Sequence, residues 1–170
     1  MSFSIKIIAF GFVALLALFT LIYIFVGFER VWTSIAGAPS SEIVEIAKVQ
    51  KTPKPNQYLV CPEGFCEENI DRTSPVFNAP VDKIRQILAN LESKDVSLVK
   101  VNVDAAGMRE KYIMRSPFWK FPNLISVEYI PLENDQSTIA IYAQAQLGQS
   151  DLNANKAFID QLLSEISSQF

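Results

Sequence analysis

An uncharged apolar run near the start of the chain is the feature that most constrains how the chain folds. Residues 7–26, IIAFGFVALLALFTLIYIFV, lie between Lys6 and the pair Glu29-Arg30. At about 1.5 Å per residue, a helix of this length spans about 30 Å, which matches the hydrocarbon core of a bilayer. We therefore expect a transmembrane anchor.

Two alternatives to an anchor fit the run less well. A buried core helix is disfavoured because aromatic residues accompany the end of the run as they do at a membrane interface: Tyr23, Phe25, Phe28 and Trp32. A cleaved signal peptide would use the small residues at 36–38, but these lie far beyond the run and precede Pro39. The run is also too long for a signal-peptide core, so we expect an uncleaved anchor.

The orientation of the anchor depends on few charges. Before the run lie the α-amino group and Lys6, whereas the stretch after it has Arg30 as its first basic residue and carries Glu29, Glu42 and Glu45. This bias places the N-terminus in the cytoplasm and the remainder of the chain outside it, in a periplasm.

Composition excludes several kinds of active site. The 170 residues include no histidine, which removes His-dependent nucleophiles, H-E-x-x-H zinc sites and haem ligation by histidine. The net charge of −3 argues against nucleic acid as a partner, because phosphate binding requires clustered Lys and Arg. We expect no cofactor and no metal.

Four regions are predicted along the chain. A cytoplasmic N-terminus (1–6) precedes the anchor (7–26), a juxtamembrane linker (27–56) and an extracytoplasmic domain (57–170). Within the linker, residues 41–50 fit a short helix or an extended segment equally well. The domain is long enough to bury one core.

The domain reads as an α+β fold: a four-stranded antiparallel meander with two helices on one face. Pro80 and the apolar spacing of Val81, Ile84, Leu88 and Leu91 predict a helix to about residue 93. Alternation predicts strands at 96–104, 111–116, 124–131 and 137–147. A second helix runs from about residue 152 to the end, with Phe158, Leu162, Ile166 and Phe170 at helical spacing.

The alternation also suggests a strand register. We expect Tyr112 opposite Val127, Met114 opposite Ile125 and Lys111 opposite Glu128 in one pair of strands. In the next pair, we expect Val127 opposite Ile141 and Ser126 opposite Tyr142. Both helices then cover the apolar face, and the other face meets water, the linker or a partner.

Several ordered motifs resemble a known bacterial family. L-G-Q-S-D-L-N-A-N-K at 147–156, N-Q-Y-L-V-C-P-E-G-F-C at 56–66 with S-P-V-F at 74–77, and R-S-x-x-x-x-F-P-N at 115–123 are similar to motifs of the family catalogued as domain of unknown function 1499, in its membrane-anchored branch. The resemblance covers about residues 52–170. It implies a bacterial inner-membrane protein and supports the domain boundaries, but it implies no activity.

Cys61 and Cys66 are the two cysteines of the chain. In an oxidising compartment, the simplest interpretation is a structural disulfide. A redox pair lacks C-x-x-C spacing, and a zinc site would need Glu63 or Glu67 as further ligands. Glu63, Glu67, Glu68 and Asp71 form an acidic cluster beside them, which is expected to be solvated because its spacing does not fit a calcium loop.

Ser150 and Asp151 precede the last predicted helix. Either side chain can accept hydrogen bonds from the first turn, so a helix cap is the preferred interpretation. A serine nucleophile is the alternative, and it would need Lys156 as a desolvated base.

Topology brings two of these motifs to one edge of the sheet. In a meander, the loop at 117–123 lies at the same end as the exit of the last strand, near Gly148. Its aromatic residues either plug the core or face a membrane or partner; the plug is preferred, with Phe121 the most buried and Trp119 the most exposed. The candidate binding residues are Arg115, Phe118, Trp119, Phe121, Asn123, Gly148, Ser150, Asp151, Asn155 and Lys156.

Three function classes remain. The first is a membrane-anchored, non-catalytic interaction or accessory module, held in the bilayer by residues 7–26 and bound to an envelope membrane protein. The second is a binder of lipid or another apolar ligand between sheet and helices. The third, an enzyme without histidine, has no spacing that supports it.

Overall fold

A long apolar helix, α1 (Phe3–Leu21), opens the chain and continues into a π-helical turn, Ile22–Val26. The computed structural model describes residues 3–95 and 97–170. Among them, Ile5–Val26 is the one helix long and apolar enough to cross a membrane, with a mean hydropathy of 2.7. None of its most apolar window is buried.

Gly27 ends the apolar helix with a positive φ of 74°, a conformation that glycine adopts without strain. A second helix, α2 (Phe28–Ala36), follows directly. The ring of Phe28 lies 5.6 Å from that of Phe19 and 5.5 Å from that of Tyr23, and Phe28 is buried. Together these helices form one compact unit, Met1–Ala38.

The second unit, Pro39–Phe170, is built on a six-stranded mixed sheet. Its strands are β1 (Gln57–Cys61), β2 (Arg72–Thr73), β3 (Leu98–Val103), β4 (Arg109–Arg115), β5 (Pro122–Pro131) and β6 (Ser137–Ala145), in the order β2-β1-β6-β5-β4-β3. The α+β class is confirmed. The sheet is larger than predicted, because the expected antiparallel meander forms only β3 to β6. Val96, where the first predicted strand begins, lies outside the described residues.

Two strands, β1 and β2, were not predicted from the sequence. β1 pairs antiparallel with β6, and β2 pairs parallel with β1. Alternation could not find β1, because its last three residues are all buried and lie against both faces of the sheet. β2 has only two residues, too few to form a pattern.

The two helices of this unit that were predicted from the sequence, α3 and α4, pack against the same face of the sheet, as expected. α3 (Val81–Lys94) buries Val81, Ile84 and Leu88. α4 (Ala154–Ser167) buries Ile159, Leu162, Leu163 and Ile166. These side chains share one core with Val60, Tyr112, Ile125, Val127, Tyr129 and other residues of the sheet.

The opposite face of the sheet is covered by the segment expected to be a linker. A 3-10 turn, Ile46–Lys48, carries Ile46, which is 1% exposed and packs with Leu59, Cys61, Ala140 and Tyr142. The backbone N–H of Ile46 donates to Glu128 Oε2 at 3.3 Å. This segment therefore contributes a second, smaller core.

The predicted register is right for one pair of strands and wrong for the other. Val127 lies opposite Ile141 and Ser126 opposite Tyr142, as expected. Tyr112 pairs with Ile125, not Val127, and Met114 with Asn123, not Ile125. Lys111 consequently lies opposite Ser126, and Glu128 pairs with Arg109. Alternation repeats every two residues, so it cannot detect a shift of two.

Cys61 and Cys66 form the predicted disulfide, with Cα atoms 6.2 Å apart. Cys61 ends β1 and is buried in the smaller core, next to Ile46. On the chain-entropy model, closing this short loop stabilises the fold by about 2 kcal/mol.

We predict that thiol titration of the unfolded, non-reduced protein finds no free sulfhydryl. Reduction should lower the free energy of unfolding by about 2 kcal/mol, because the unfolded chain regains loop entropy. Two titratable thiols in the non-reduced sample would contradict the disulfide.

Candidate functional site

Two loops meet at the end of the sheet where β4 and β6 finish. The loop after β4 is closed by the N–H of Ser116, which donates to the carbonyl of Phe121 at 3.0 Å. The N–H of Gln146 donates to the carbonyl of Pro122, also at 3.0 Å, and so holds the exit of β6 beside that loop. We call residues 116–121 and 146–153 together the loop edge.

The loop edge surrounds a cavity of about 250 Å³, the edge pocket. Its walls come from the β4–β5 loop, the start of β5, the end of β6, the loop that follows β6 and the start of α4. The lining residues are Ser116, Phe121, Asn123, Ala145, Leu147, Gly148, Ser150, Asp151, Leu152 and Ala154.

The structure brings most of the predicted site residues together here. Five of them line the pocket: Phe121, Asn123, Gly148, Ser150 and Asp151. Phe118 and Trp119 lie on the same loop as Phe121, and Asn155 is buried in the first turn of α4. Arg115, at the end of β4, and Lys156 do not line it.

The aromatic residues of the loop do not plug the core, which corrects the preferred interpretation. Phe118 is 56% exposed, Trp119 44% and Phe121 37%. Phe121 is the least exposed, as expected, but Phe118 rather than Trp119 is the most exposed. The space at this end, lined by Phe121, Asn123 and Ala145, remains a cavity, and the rings of Phe118 and Trp119 lie outside its lining.

Leu152 was not predicted as part of the site, yet it is 89% exposed on the pocket rim. Leu152 and Asn153 both have a positive φ, of 54° and 64°. Left-handed backbone costs about 1–3 kcal/mol for such residues. The sequence feature that accompanies this turn is Ser150-Asp151. Ser150 Oγ accepts from the N–H of Leu152 at 3.2 Å, and Asp151 Oδ1 accepts from the N–H of Asn153 at 3.1 Å.

Asp151 accepts from the first turn of α4, as predicted, although the helix begins two residues later than expected and its N-cap position is Asn153. Its Oδ2 accepts from the N–H of Asn155 at 2.8 Å, and its backbone carbonyl accepts from the N–H of Ala154. Both carboxylate oxygens are therefore committed to backbone groups.

Two buried asparagines, Asn56 and Asn155, connect the start of β1 with the exit of β6 and the first turn of α4, and neither lines the pocket. The side-chain amide of Asn56 donates to the carbonyls of Ala145 (3.3 Å) and Gly148 (3.1 Å), and that of Asn155 donates to the carbonyl of Asn56 (3.1 Å). Asn56 Oδ1 and Asn155 Oδ1 are buried without a hydrogen-bond partner. In the sequence, Asn56 was the last residue of the predicted linker and the first of the 56–66 motif, and it was not among the candidate binding residues.

Lys156, the base that a nucleophilic Ser150 would need, is held in an ion pair. Lys156 Nζ lies 2.5 Å from Asp160 Oδ2, and this hydrogen bond raises the pKa of Lys156. Lys156 is therefore charged at neutral pH and cannot serve as the base that a nucleophilic Ser150 requires.

Two buried polar clusters lie elsewhere in the sheet. Glu110 Oε2 accepts from the hydroxyls of Tyr112 and Tyr129, and Glu110 Oε1 is paired with Lys100 at 3.2 Å. On the opposite face, Lys111 donates to Ser126 Oγ at 2.8 Å, and burial lowers the pKa of Lys111 to about 8.

We predict that Asp151→Ala lowers the free energy of unfolding by about 1 kcal/mol, because the first turn of α4 loses its acceptor. Asp151→Asn keeps one carbonyl oxygen and should lose less. Thermal unfolding of the two variants and the parent chain measures the loss of stability. An unchanged midpoint for Asp151→Ala would contradict the capping role of Asp151.

We predict that Lys111→Met stabilises the protein at pH 7 by about 2 kcal/mol, since burial opposes the charged ammonium. In the unfolded chain Lys111 keeps its proton up to pH about 10.5, whereas in the folded chain it loses the proton near pH 8. The stability of the parent chain should therefore rise between pH 8 and 10.5. The advantage of the variant should shrink over that window. An unfolding series across these pH values measures the difference, and a constant difference would contradict the lowered pKa.

Comparisons with known proteins assign no family to this site. No protein-family model matches the chain, and no curated protein matches it significantly. A function for the loop edge is therefore inferred from its geometry.

Proposed function

We propose that this chain is a membrane-anchored, non-catalytic interaction module that binds a membrane-protein partner through its loop edge. The observation that carries this proposal is the apolar rim, formed by Phe118, Trp119, Phe121 and Leu152, all exposed. Contiguous exposed apolar side chains on a water-soluble surface mark interaction sites, because their exposure is unfavourable unless a partner covers them.

Trp119 has the chemistry of an anchor residue for a protein contact. Its ring packs edge-on against that of Phe118, with centroids 4.9 Å apart, so the two form one aromatic surface. Tryptophan is enriched among the residues that dominate binding energy at protein interfaces.

The proposed location is a bacterial inner membrane, with the N-terminus in the cytoplasm and Pro39–Phe170 in the periplasm. Ile5–Val26 is long enough to span the bilayer, and the disulfide is typical of an oxidising compartment. The charge bias around the span, with Lys6 before it and Glu29 after it, favours this orientation. Membership of the domain of unknown function 1499 family is part of the same proposal and is supported by the three sequence motifs.

An apolar-ligand binder that uses space between sheet and helices is less well supported. The cavity between α3 and α4 is about 170 Å³, and its lining includes the charged residues Lys94, Asp95 and Glu165.

Co-purification tests the proposal. The full chain, solubilised from its native membrane, should retain a stoichiometric protein partner, and Trp119→Glu should reduce recovery of that partner by about tenfold. Val103→Glu is the matched control, since Val103 is 49% exposed at the opposite end of the sheet. Thermal unfolding of both variants confirms that they fold.

Equal recovery of the partner with both variants would overturn the proposed contact surface. Stoichiometric lipid without any protein would overturn the proposed partner class.

A further inference from the structure

We propose that α2 is an interfacial helix, which lies along the membrane surface with its apolar face in the lipid. The occupant of this face is the bilayer that holds Ile5–Val26, so the inference rests on the proposed membrane span. It concerns the first compact unit, Met1–Ala38, and does not depend on the loop edge. α2 is then a second membrane contact in addition to the span.

The residues of α2 divide into an apolar and a polar face. At 3.6 residues per turn, successive side chains are about 100° apart around the helix axis. Every apolar residue of the helix falls within one arc of about 140°: Phe28, Val31, Trp32, Ile35 and Ala36. The other side carries the remaining residues: Glu29, Arg30, Thr33 and Ser34. These polar residues line one cavity of about 720 Å³ together with residues 24–27, and none of the described residues of the apolar arc lines it.

A turn at Gly27 directs the apolar face of α2 toward the lipid. Nine residues separate Phe19 from Phe28, which in a straight helix would place them about 13 Å apart and on opposite sides. Their rings instead lie 5.6 Å apart, and the ring of Tyr23 lies 5.5 Å from that of Phe28. Phe19 precedes the end of the span by seven residues, or about 10 Å of helix. The face that carries Phe28 is therefore turned back toward the hydrocarbon depth of Phe19.

The apolar face extends from this contact along the rest of α2. Trp32 lies one turn after Phe28, and their rings are stacked with centroids 6.4 Å apart. Val31 and Ile35 continue the same arc, and Ile35 is 68% exposed. An exposed isoleucine that continues an apolar contact with the span is suited to a lipid cover, because the bilayer around the span is adjacent to it.

The charge of the polar face favours a contact that does not depend on anionic lipid. Glu29 and Arg30 have opposite charges, and Thr33 and Ser34 are neutral. Interfacial helices that bind by themselves are usually rich in Lys and Arg, which attract anionic lipid. α2 has 9 residues and one basic side chain, so it would bind lipid weakly if it were detached. Its covalent link to the span compensates, because the link keeps the helix at a high effective concentration beside the bilayer.

Nitroxide accessibility in the full chain, held in phosphatidylcholine nanodiscs, tests the inference. Labels are attached to single added cysteines under non-reducing conditions, in which the Cys61–Cys66 disulfide leaves no other thiol. Oxygen concentrates in lipid and a nickel chelate stays in water, so their relative access to a label reports its surroundings. Leu15→Cys gives the reference for lipid, and Glu133→Cys, in the exposed turn between β5 and β6, gives the reference for water.

Ile35→Cys and Ser34→Cys are the matched pair, because these positions are adjacent, both exposed and on opposite faces of α2. We expect the ratio of oxygen access to nickel access to be about fivefold higher at position 35 than at position 34. Equal ratios at the two positions would overturn the proposed orientation. A label at position 35 that is shielded from both reagents would indicate a protein cover, such as a second copy of the chain, and would overturn the lipid contact.

A second pair of substitutions tests what holds α2 in place. With the label on Val31→Cys, Ile35→Glu should raise nickel access by about fivefold, because a carboxylate in the apolar arc must reach water. Ser34→Glu is the control, since it adds the same charge on the polar face and should leave access unchanged. Anionic lipid and high salt should have no effect, because Glu29 and Arg30 offset each other. An equal response to both substitutions, or protection that requires anionic lipid, would contradict a contact made by the apolar face.

The Leu15 label separates this inference from the proposed function. Free access of the nickel chelate to that label would mean that Ile5–Val26 does not span the bilayer, and it would overturn the proposed anchor. Protection of the Leu15 label together with a water-like label at position 35 would retain the anchor and overturn the interfacial helix alone.

Discussion

The backbone hydrogen bonds that close the β4–β5 hairpin determine most of the strand pairing in the domain. With Ser116 bonded to Phe121, Arg115 must lie opposite Pro122, and the remaining pairs of β4 and β5 are then fixed. β5 also pairs with β6 along most of its length, from Asn123–Ala145 to Pro131–Ser137. The same closure therefore sets which side chains enter the core and places Asn123 beside Ala145 at the loop edge.

The sheet needs a cover on both faces, and the chain supplies two different ones. α3 and α4 cover the face that carries Ile125, Val127 and Ile141. The segment around Ile46 covers the other face, where a buried lysine, Lys111, is tolerated because Ser126 accepts its hydrogen bond. Burial also raises the pKa of Tyr112 and Tyr129 on the helix face, with the Glu110 carboxylate contributing. The interior is therefore polar in places, but these groups bond to one another and lie away from the loop edge.

Several costly features occur at or next to the loop edge. The buried side chains of Glu110 and Lys111 have hydrogen-bond partners, whereas Asn56 Oδ1 and Asn155 Oδ1 have none among the described residues, as is also true of Arg85 Nε on α3. Exposed aromatic rings, left-handed backbone at Leu152 and an apolar cavity occur at the same place. Each feature costs stability, and natural sequences tend to accept such costs at functional sites.

The sequence by itself determined the apolar span and the two amphipathic helices, because both follow from local composition and periodicity. It also determined the α+β class, the disulfide and the meeting of the two loops, because these follow from the order of the elements and the presence of two cysteines. Tertiary structure decided the rest. β1 carries no alternation because both faces of the sheet are covered there, and the register of β4 depends on a loop closure that alternation cannot detect. Whether Phe118 and Trp119 are buried or exposed depends on how the β4–β5 loop is placed at the end of the sheet, and Asn155 reaches the backbone of Asn56 only after the sheet and α4 have assembled.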